Sequence, residues 1–303
     1  VGQGDCFVIK AYDNYILIDG GSSSVKNVGE RILEPYLLSK RITDIELIAV
    51  SHADTDHTNG IKYLMSESEN INIERMALPE AAVTDADYDE LKALFITGAK
   101  KTYKAEWQNK CDEIIYLKDD MTVMEYGDIS LTAIYGGNTK EQRDNNSESA
   151  VLLLDKNDEF TMLFTGDMPS EEDEAFISCF DKYMNKKSNV NDKGNKKDKI
   201  LEADIGSLSA DDKYIDRDMM KKYEAEGITV LKAAHHGSKT SSSDRFLDVV
   251  RPEYAVLSYG RNNRYGHPSP EVTDRMAKRH IRMLSTCDNG ALYINEKGIF
   301  AAK

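Results

Sequence analysis

The sequence predicts an α/β protein in which two β-sheets lie together with helices on their outer sides. Three observations predict it: strand and helix patterns alternate near the start, a run of strands with tight connections fills the middle, and alternation returns from Ile228. A chain of 303 residues, 40% hydrophobic and 30% charged, can bury a sizeable core, and 19 Gly with 6 Pro exclude a low-complexity chain. No apolar run approaches the roughly 18 residues that read as a membrane span. A soluble, cytoplasmic protein is expected, with a trimmed N-terminus because the chain opens at Val1 directly before a strand pattern. Against 53 acidic residues stand 39 basic ones, and the net charge of −14 leaves only a local basic groove for any nucleic acid. Cysteines 6, 111, 179 and 287 form no C-x-x-C pair, so neither a disulfide framework nor a zinc ribbon is expected.

The elements follow in order. Strands Cys6 to Tyr12 and Tyr15 to Asp19 flank the turn residues Asp13-Asn14. Ile32, Tyr36 and Leu37 at helical spacing predict a helix from Val28 to Lys40, and an apolar strand runs from Ile45 to Val50. A helix from Ile61 to Met65 follows. Strands at Glu113–Leu117, Thr122–Tyr126, Ile129–Tyr135, Ser149–Asp155 and Phe160–Thr165 read as an antiparallel meander. Pro169-Ser170 before four acids predicts a helix N-terminus. Lys182 to Lys199 holds seven Lys and four Asn and reads as a flexible tract within an insertion spanning 168–227, which also carries a helix from Asp212 to Glu226. Strand Thr229–Ala234, helix Ser243–Val250, strand Tyr254–Ser258, helix Glu271–His280 and a hairpin near Asn289-Gly290 complete a single domain over 1–303.

Two His and two Asp fall within six positions in His52-Ala53-Asp54-Thr55-Asp56-His57, just past an apolar strand. Imidazole and carboxylate are the ligands of zinc and other borderline divalent metals, and unpaired carboxylates so close would repel each other. Asp167 ends another apolar strand, where it could bridge two cations. Adjacent His235 and His236 end a third, followed by Gly237, which allows close backbone approach. If that strand stays regular, Lys232 and His236 share one face, which makes His236 the better ligand and Lys232 an anion contact; His235 then orients the site or handles a proton. The loop Gly260 to Pro268 mixes Arg261, Arg264, Asn262, Asn263, Tyr265 and His267, groups suited to phosphate, substrate positioning and stacking.

The run His52-x-Asp54-x-Asp56-His57 resembles the metal-binding motif of metallo-β-lactamase-fold hydrolases. With Val1 to Asp5, Leu17 to Gly21, Thr165 to Asp167, Leu231 to Ser243 and Gly260 to Pro270, it is similar to the ComEC-type C-terminal hydrolase domain and its free-standing relatives. The resemblance implies a four-layer αββα sandwich with a two-metal site at one edge. It further implies a phosphodiesterase or nuclease that degrades one DNA strand. Metal ligands would then be His52, Asp54, Asp56, His57, Asp167 and one of His235 and His236, holding two zinc ions, or manganese as the alternative. Asp56, Lys232, His235 and His267 would serve catalysis, with His235 or His267 protonating the leaving oxygen. Asn146, Ser149, Ser238, Lys239, Asn262, Asn263, Arg264 and Tyr265 would contact substrate, and Asp5 and Asp19 would orient the ligand loop. Asn145 to Ser149 stands where many members supply another histidine, which turns the reading away from β-lactams. The expected substrate is single-stranded DNA or a small phosphodiester. Alternatives are a hydrolase of small phosphoesters or other esters, and a metal-containing effector or binding module activated by a partner, which the 168–227 insertion could recruit.

Overall fold

Successive residues of a strand face opposite sides, and the central strands here are apolar on both. Leu47 and Ala49 join one buried cluster while Ile48 and Val50 join another; Leu152 and Leu153 divide in the same way. Strands of this kind need cover on both faces, which two sheets and two helical layers supply. The computed structural model describes residues 1–102, 113–140, 144–191, 215–216, 227–295 and 298–301.

Strands β1 (Cys6–Ala11) and β2 (Asn14–Gly20) form an antiparallel hairpin. A π-turn at Gly29–Leu33 leads into α1 (Glu34–Ser39), and β3 (Asp44–Ala49) returns parallel to β2. Then come α2 (Thr55–Ser66), β4 (Asn72–Pro79), α3 (Asp89–Thr102) and β5 (Glu113–Leu117), completing a sheet ordered β1-β2-β3-β4-β5. Strands β6 (Met121–Tyr126), β7 (Ile129–Tyr135), β8 (Val151–Lys156) and β9 (Phe160–Phe164) are an antiparallel meander, followed by α4 (Asp173–Asn191). After β10 (Ile215–Asp216), β11 (Val230–Lys232) pairs parallel to β9. Helix α5 (Asp244–Val250), β12 (Tyr254–Leu257), α6 (Pro270–Lys278) and β13 (Arg282–Ser285) extend that sheet to seven strands ordered β13-β12-β11-β9-β8-β7-β6. A short α7 (Thr286–Asn289), β14 (Leu292–Asn295) and β15 (Gly298–Ala301) follow, the last two forming a small sheet with β10.

The layers are helix, sheet, sheet, helix, as expected. One cluster, with Ile16, Leu47, Leu131, Leu152 and Val230, lies between the sheets. A second packs Phe176, Phe180, Phe246 and Val272 of α4, α5 and α6 on the seven-stranded sheet, and a third packs Leu37, Ile61, Leu64 and Phe95 on the five-stranded one. Among the described residues no helix is long and apolar enough to cross a membrane.

Several elements differ from expectation. Strand β5 belongs to the first sheet, parallel to β4, and not to the meander. Strand β4 and helix α3 were not foreseen: charged Glu74 and Arg75 interrupt the apolar pattern of β4, and Arg75 is held by Glu46 on the neighbouring strand at 2.6 Å. Nor was β13 foreseen, and the last hairpin turns after Asn295, not at Asn289-Gly290, which ends a helical turn. Helix α4 continues to Asn191, through the first part of the Lys- and Asn-rich tract, because Tyr183 and Met184 pack on the core and Lys187 pairs with Asp155 and Asp158 of the sheet. Part of the expected insertion is thus a layer of the fold. The rest of that tract lies outside the described residues, as does the helix expected from Asp212 apart from Ile215–Asp216, which is strand.

Helix α2 sits so close to β2 that a Cβ on Gly60 would lie 2.2 Å from the Gly20 carbonyl oxygen. Alanine at an exposed helix site gains up to about 1 kcal/mol. Here backbone must move, so Gly60→Ala is expected to destabilise by about 1–3 kcal/mol, read as a lowered urea midpoint at unchanged slope.

Candidate metal centre

The carboxyl ends of the parallel strands β2, β3, β9, β11 and β12 meet at one edge of the sandwich, the usual place for a site in open α/β sheets. Past β3 the chain runs through Ser51 and His52, and α2 then starts at Thr55, earlier than expected, so Asp56 and His57 stand on its first turn. Asp54 occupies the N-cap position with extended backbone, yet its side chain makes no cap bond. It is turned away: Oδ1 accepts Asn145 Nδ2 at 2.8 Å and Oδ2 lies 3.7 Å from His52 Nε2.

The imidazoles are oriented through their Nδ1 atoms. Asp19, at the end of β2, accepts the backbone N–H and the hydroxyl of Ser51, both at 2.7 Å, and its Oδ2 lies 2.8 Å from His57 Nδ1. Having given its proton to Asp19, Ser51 Oγ accepts from His52 Nδ1 at 3.0 Å. His236 Nδ1 faces the Ser258 carbonyl oxygen at 2.8 Å, and a carbonyl only accepts, so the proton is on Nδ1. Each bond leaves Nε2 pointing inward, the arrangement that fixes a metal-ligating tautomer.

Asp167 stands where these Nε2 atoms point. Its Oδ1 is 3.3 Å from His57 Nε2, and its Oδ2 is 3.5 Å from His236 Nε2 and 3.8 Å from His235 Nε2. Its backbone N–H donates to Ser149 Oγ at 3.1 Å. Lys232 shares the inner face of β11 with Val230, and its fully buried ammonium lies 2.5 Å from Asp5 Oδ2, donates to the Gly166 carbonyl at 2.7 Å and is 3.4 Å from Asp167. Burial by itself raises a carboxyl pKa, but Lys232, His236 and His57 hold Asp5 below its ordinary value, and His236, His57 and Lys232 hold Asp167 well below. Burial likewise lowers an imidazole; Asp167 and Asp19 nevertheless raise His57 well above its ordinary value, and Asp167, Asp5 and Asp56 carry His236 up to about 9.

This donor set fits divalent metal. His52 Nε2, His57 Nε2 and His236 Nε2 are buried with no hydrogen-bond partner among the described residues. Ligand atoms of His52, His57 and Asp167, of Asp56, His57 and His236, and of Asp5, Asp167 and His236 lie within 4.8 Å of one another. Among the described residues the carboxylates of Asp5, Asp19, Asp54, Asp56 and Asp167 face Lys232 and the imidazoles, and with the imidazoles as neutral ligands this leaves a surplus of negative charge that cations would neutralise.

The remaining expected residues fall into two groups. Lys232 is sealed from solvent by its bonds to Asp5 and Gly166, so it balances buried charge and does not reach a substrate phosphate. Ser149 is completely buried on the Asp167 N–H, and Ser238 Oγ is engaged with Thr240 at 3.0 Å, so both hydroxyls are used within the fold. Asn263 spends its amide within its own loop, donating to the Gly260 and His267 carbonyls and accepting the His267 N–H. By contrast, Asn262, Arg264, Tyr265 and Lys239 are exposed, and Asn146 is half-buried. His235 is also half-buried, with His267 5.5 Å away edge-on. Burial pushes His235 down, and burial with the nearby His235 and His236 pushes His267 down to about 4. Both shifts favour the uncharged ring. Strand β11 stops at Lys232, and His235 and His236 adopt left-handed backbone (φ 48° and 54°). His236 is the buried ring because of that turn and not because of strand alternation.

Sequence reasoning missed Arg275. Its guanidinium donates to the Ser241 and Ser242 carbonyls, each at 2.9 Å, and to that of Lys239 at 3.0 Å, clamping the loop that follows His236. Gln3 Oε1 accepts the Gly260 N–H, and the Gly4 carbonyl accepts Ser258 Oγ at 2.6 Å, so the N-terminal segment ties both sheets together beside Asp5.

The pattern described as Metallo-beta-lactamase superfamily matches residues 1–123, which include the whole His52–His57 run. Residues 1–123 resemble the metallo-beta-lactamase superfamily. Proteins of this superfamily are generally hydrolases that bind divalent metals. The chain is 24% identical over 99% of its length to ComE operon protein 3 of Bacillus subtilis, covering 33% of that protein. It is 23% identical over 96% of its length to competence protein ComA of Neisseria gonorrhoeae and 24% over 97% to recombination protein 2 of Haemophilus influenzae, covering 30% and 28% of them. It thus spans about a third of the length of these relatives. Among solved structures it is similar to the metallo-beta-lactamase fold protein YhfI of Bacillus subtilis, with 12% identity, TM-score 0.44, and coverage of 93% of this chain and 88% of that one. A diphosphatase of the PhnP family shares 11% identity at TM-score 0.42, covering 92% of this chain and 80% of its own.

Asp19 holds Ser51 and His57, and through them the candidate ligands His52 and His57. Asp19→Asn keeps the side-chain shape and tolerates the left-handed backbone at this position (φ 53°). It is expected to weaken metal affinity by about 10- to 100-fold, measured by competition with a chromogenic chelator.

Proposed function

We propose that the chain is a divalent-metal-dependent phosphodiesterase that cleaves DNA, with a single strand as its substrate. The observation that carries the reading is the convergence of three unpartnered imidazole Nε2 atoms on Asp167. His52, Asp54 and Asp167 would hold one ion and Asp56, His57, His236 and Asp167 the other, zinc first and manganese as the alternative. Two such ions, when bound, lower the pKa of a water nucleophile and neutralise charge on a phosphodiester. The relatives are named for competence and recombination, and the resemblance to ComEC-type domains implies DNA; both favour a nucleic-acid phosphodiester over a β-lactam.

The chain's own groups prepare the site. Asp19 and Ser51 hold His52 and His57 in the tautomer that presents Nε2, and the Ser258 carbonyl does the same for His236. Asn145 keeps Asp54 directed at His52. Lys232 prevents Asp5 and Asp167 from repelling each other in a closed space. His235, partly exposed beside Asp167, would accept a proton or hydrogen bond from solvent or substrate at Nε2.

The test is cleavage of an end-labelled single-stranded oligonucleotide by purified protein loaded with zinc or manganese, beside a chelator-treated sample and a small chromogenic phosphodiester. Metal-dependent cleavage of the oligonucleotide is expected, with none after chelation. Turnover of the small diester alone would reassign the substrate. No turnover of either by a protein shown to hold two ions would overturn the phosphodiesterase reading.

A further inference from the structure

The loop from Gly260 to Gly266 carries aromatic and basic side chains that the ligand set leaves unused. Asn263 makes it rigid through its three bonds to Gly260 and His267. On that support the ring of Tyr265 lies over His267, with centroids 5.6 Å apart and planes at 24°. His267 meets His235 edge-on at 5.5 Å, and His235 adjoins the candidate ligand His236. A row of rings therefore runs outward from the ligand cluster and ends on Tyr265, which is 66% exposed. Tyr265 is turned to His267 on one side, and most of its surface is exposed.

A lone exposed tyrosine is ordinary on a protein surface. This one differs because a half-buried ring already holds it flat, so little freedom remains to be lost when a second planar group stacks on it. Arg261 and Arg264 in the same loop and Lys239 beside His236 are exposed, and none is in an ion pair among the described residues. On a chain of net charge −14, they supply the local positive charge that a polyanionic strand needs.

We infer that Tyr265 is a stacking platform for an unpaired nucleobase of the strand whose phosphodiester lies at the ligand cluster, with Arg261 and Arg264 on the flanking phosphates. The inference rests on the phosphodiesterase reading and adds how the strand is chosen. Within a duplex both faces of a base are covered by its neighbours, so a platform of this kind selects single strands, and it tolerates any sequence because every base has a π-face.

The test uses the metal-loaded protein and two labelled strands of equal length with phosphorothioate linkages, one oligo-dT and one abasic, with binding followed by fluorescence anisotropy. The wild type is expected to prefer the base-bearing strand by about 5- to 150-fold, the range for stacking one base. Tyr265→Ala should bind both strands at the abasic level, and Tyr265→Phe should restore the preference. Arg264→Ala should weaken both strands alike and flatten the salt dependence. An undiminished preference in Tyr265→Ala, or none in the wild type, overturns the platform. Base preference without metal-dependent cleavage overturns the phosphodiesterase reading and leaves the platform standing, whereas cleavage without preference does the reverse.

Discussion

Asp167→Asn is expected to fold and to lose hydrolysis by about three orders of magnitude or more, which is about 4 kcal/mol of transition-state stabilisation. Asp167 is the carboxylate that faces His57, His235, His236 and Lys232 together. Asparagine preserves its volume and its backbone bond to Ser149 while replacing a charged, two-oxygen ligand with a neutral amide. The Asp5–Lys232 pair stays intact, so the fold should survive, as checked by circular dichroism and by urea unfolding of the chelated protein. Metal content measured by inductively coupled plasma mass spectrometry should fall alongside the rate. A variant with both metal content and turnover at wild-type level would remove Asp167 from the site.

Lys232→Met should show the largest loss of stability. The ammonium is fully buried against Asp5, and removing it leaves Asp5 as a charge without its main counterion in a closed interior. Breaking a buried pair from one side costs about 3–5 kcal/mol, a large part of the roughly 5–15 kcal/mol that holds a typical domain together. The methionine itself fits the volume, so the loss comes from charge and not from a cavity. Neutralising the partner separates the two explanations: Lys232→Met combined with Asp5→Asn should recover much of the stability, giving a clear coupling energy in a double-mutant cycle. Unfolding is compared in chelated protein, where bound cations cannot compensate for the missing ammonium. A single variant within about 0.5 kcal/mol of wild type, the range of ordinary surface changes, would show that Lys232 does not carry the charge balance assigned to it.

These two residues also mark how far a sequence can be read. Asp167 was legible because a strand pattern ended in Gly-Asp and the His52–His57 run needed further ligands. Lys232 was noticed for its position in the strand, yet its role was misjudged. Its partner Asp5 lies at the other end of the chain, and no local pattern shows that the N-terminal segment crosses from one sheet to the other. The bond from Asn145 to Asp54 and the clamp of Arg275 on the loop after His236 were not legible for the same reason: an amide or guanidinium far away in sequence carries no periodic signal.

The sequence by itself determined the alternation of elements, the two-sheet architecture and the types of candidate metal donor, because apolar period and donor chemistry are local properties of the chain. Tertiary structure alone decided which nitrogen of each histidine faces inward, which of the paired histidines is buried, and which polar residues are consumed in holding loops. Those outcomes depend on groups brought together across the sandwich edge: Asp19 onto His57, Ser258 onto His236, Asp5 onto Lys232. A hydrogen bond or buried charge is settled by its partner, and the partner is known only once the chain has folded.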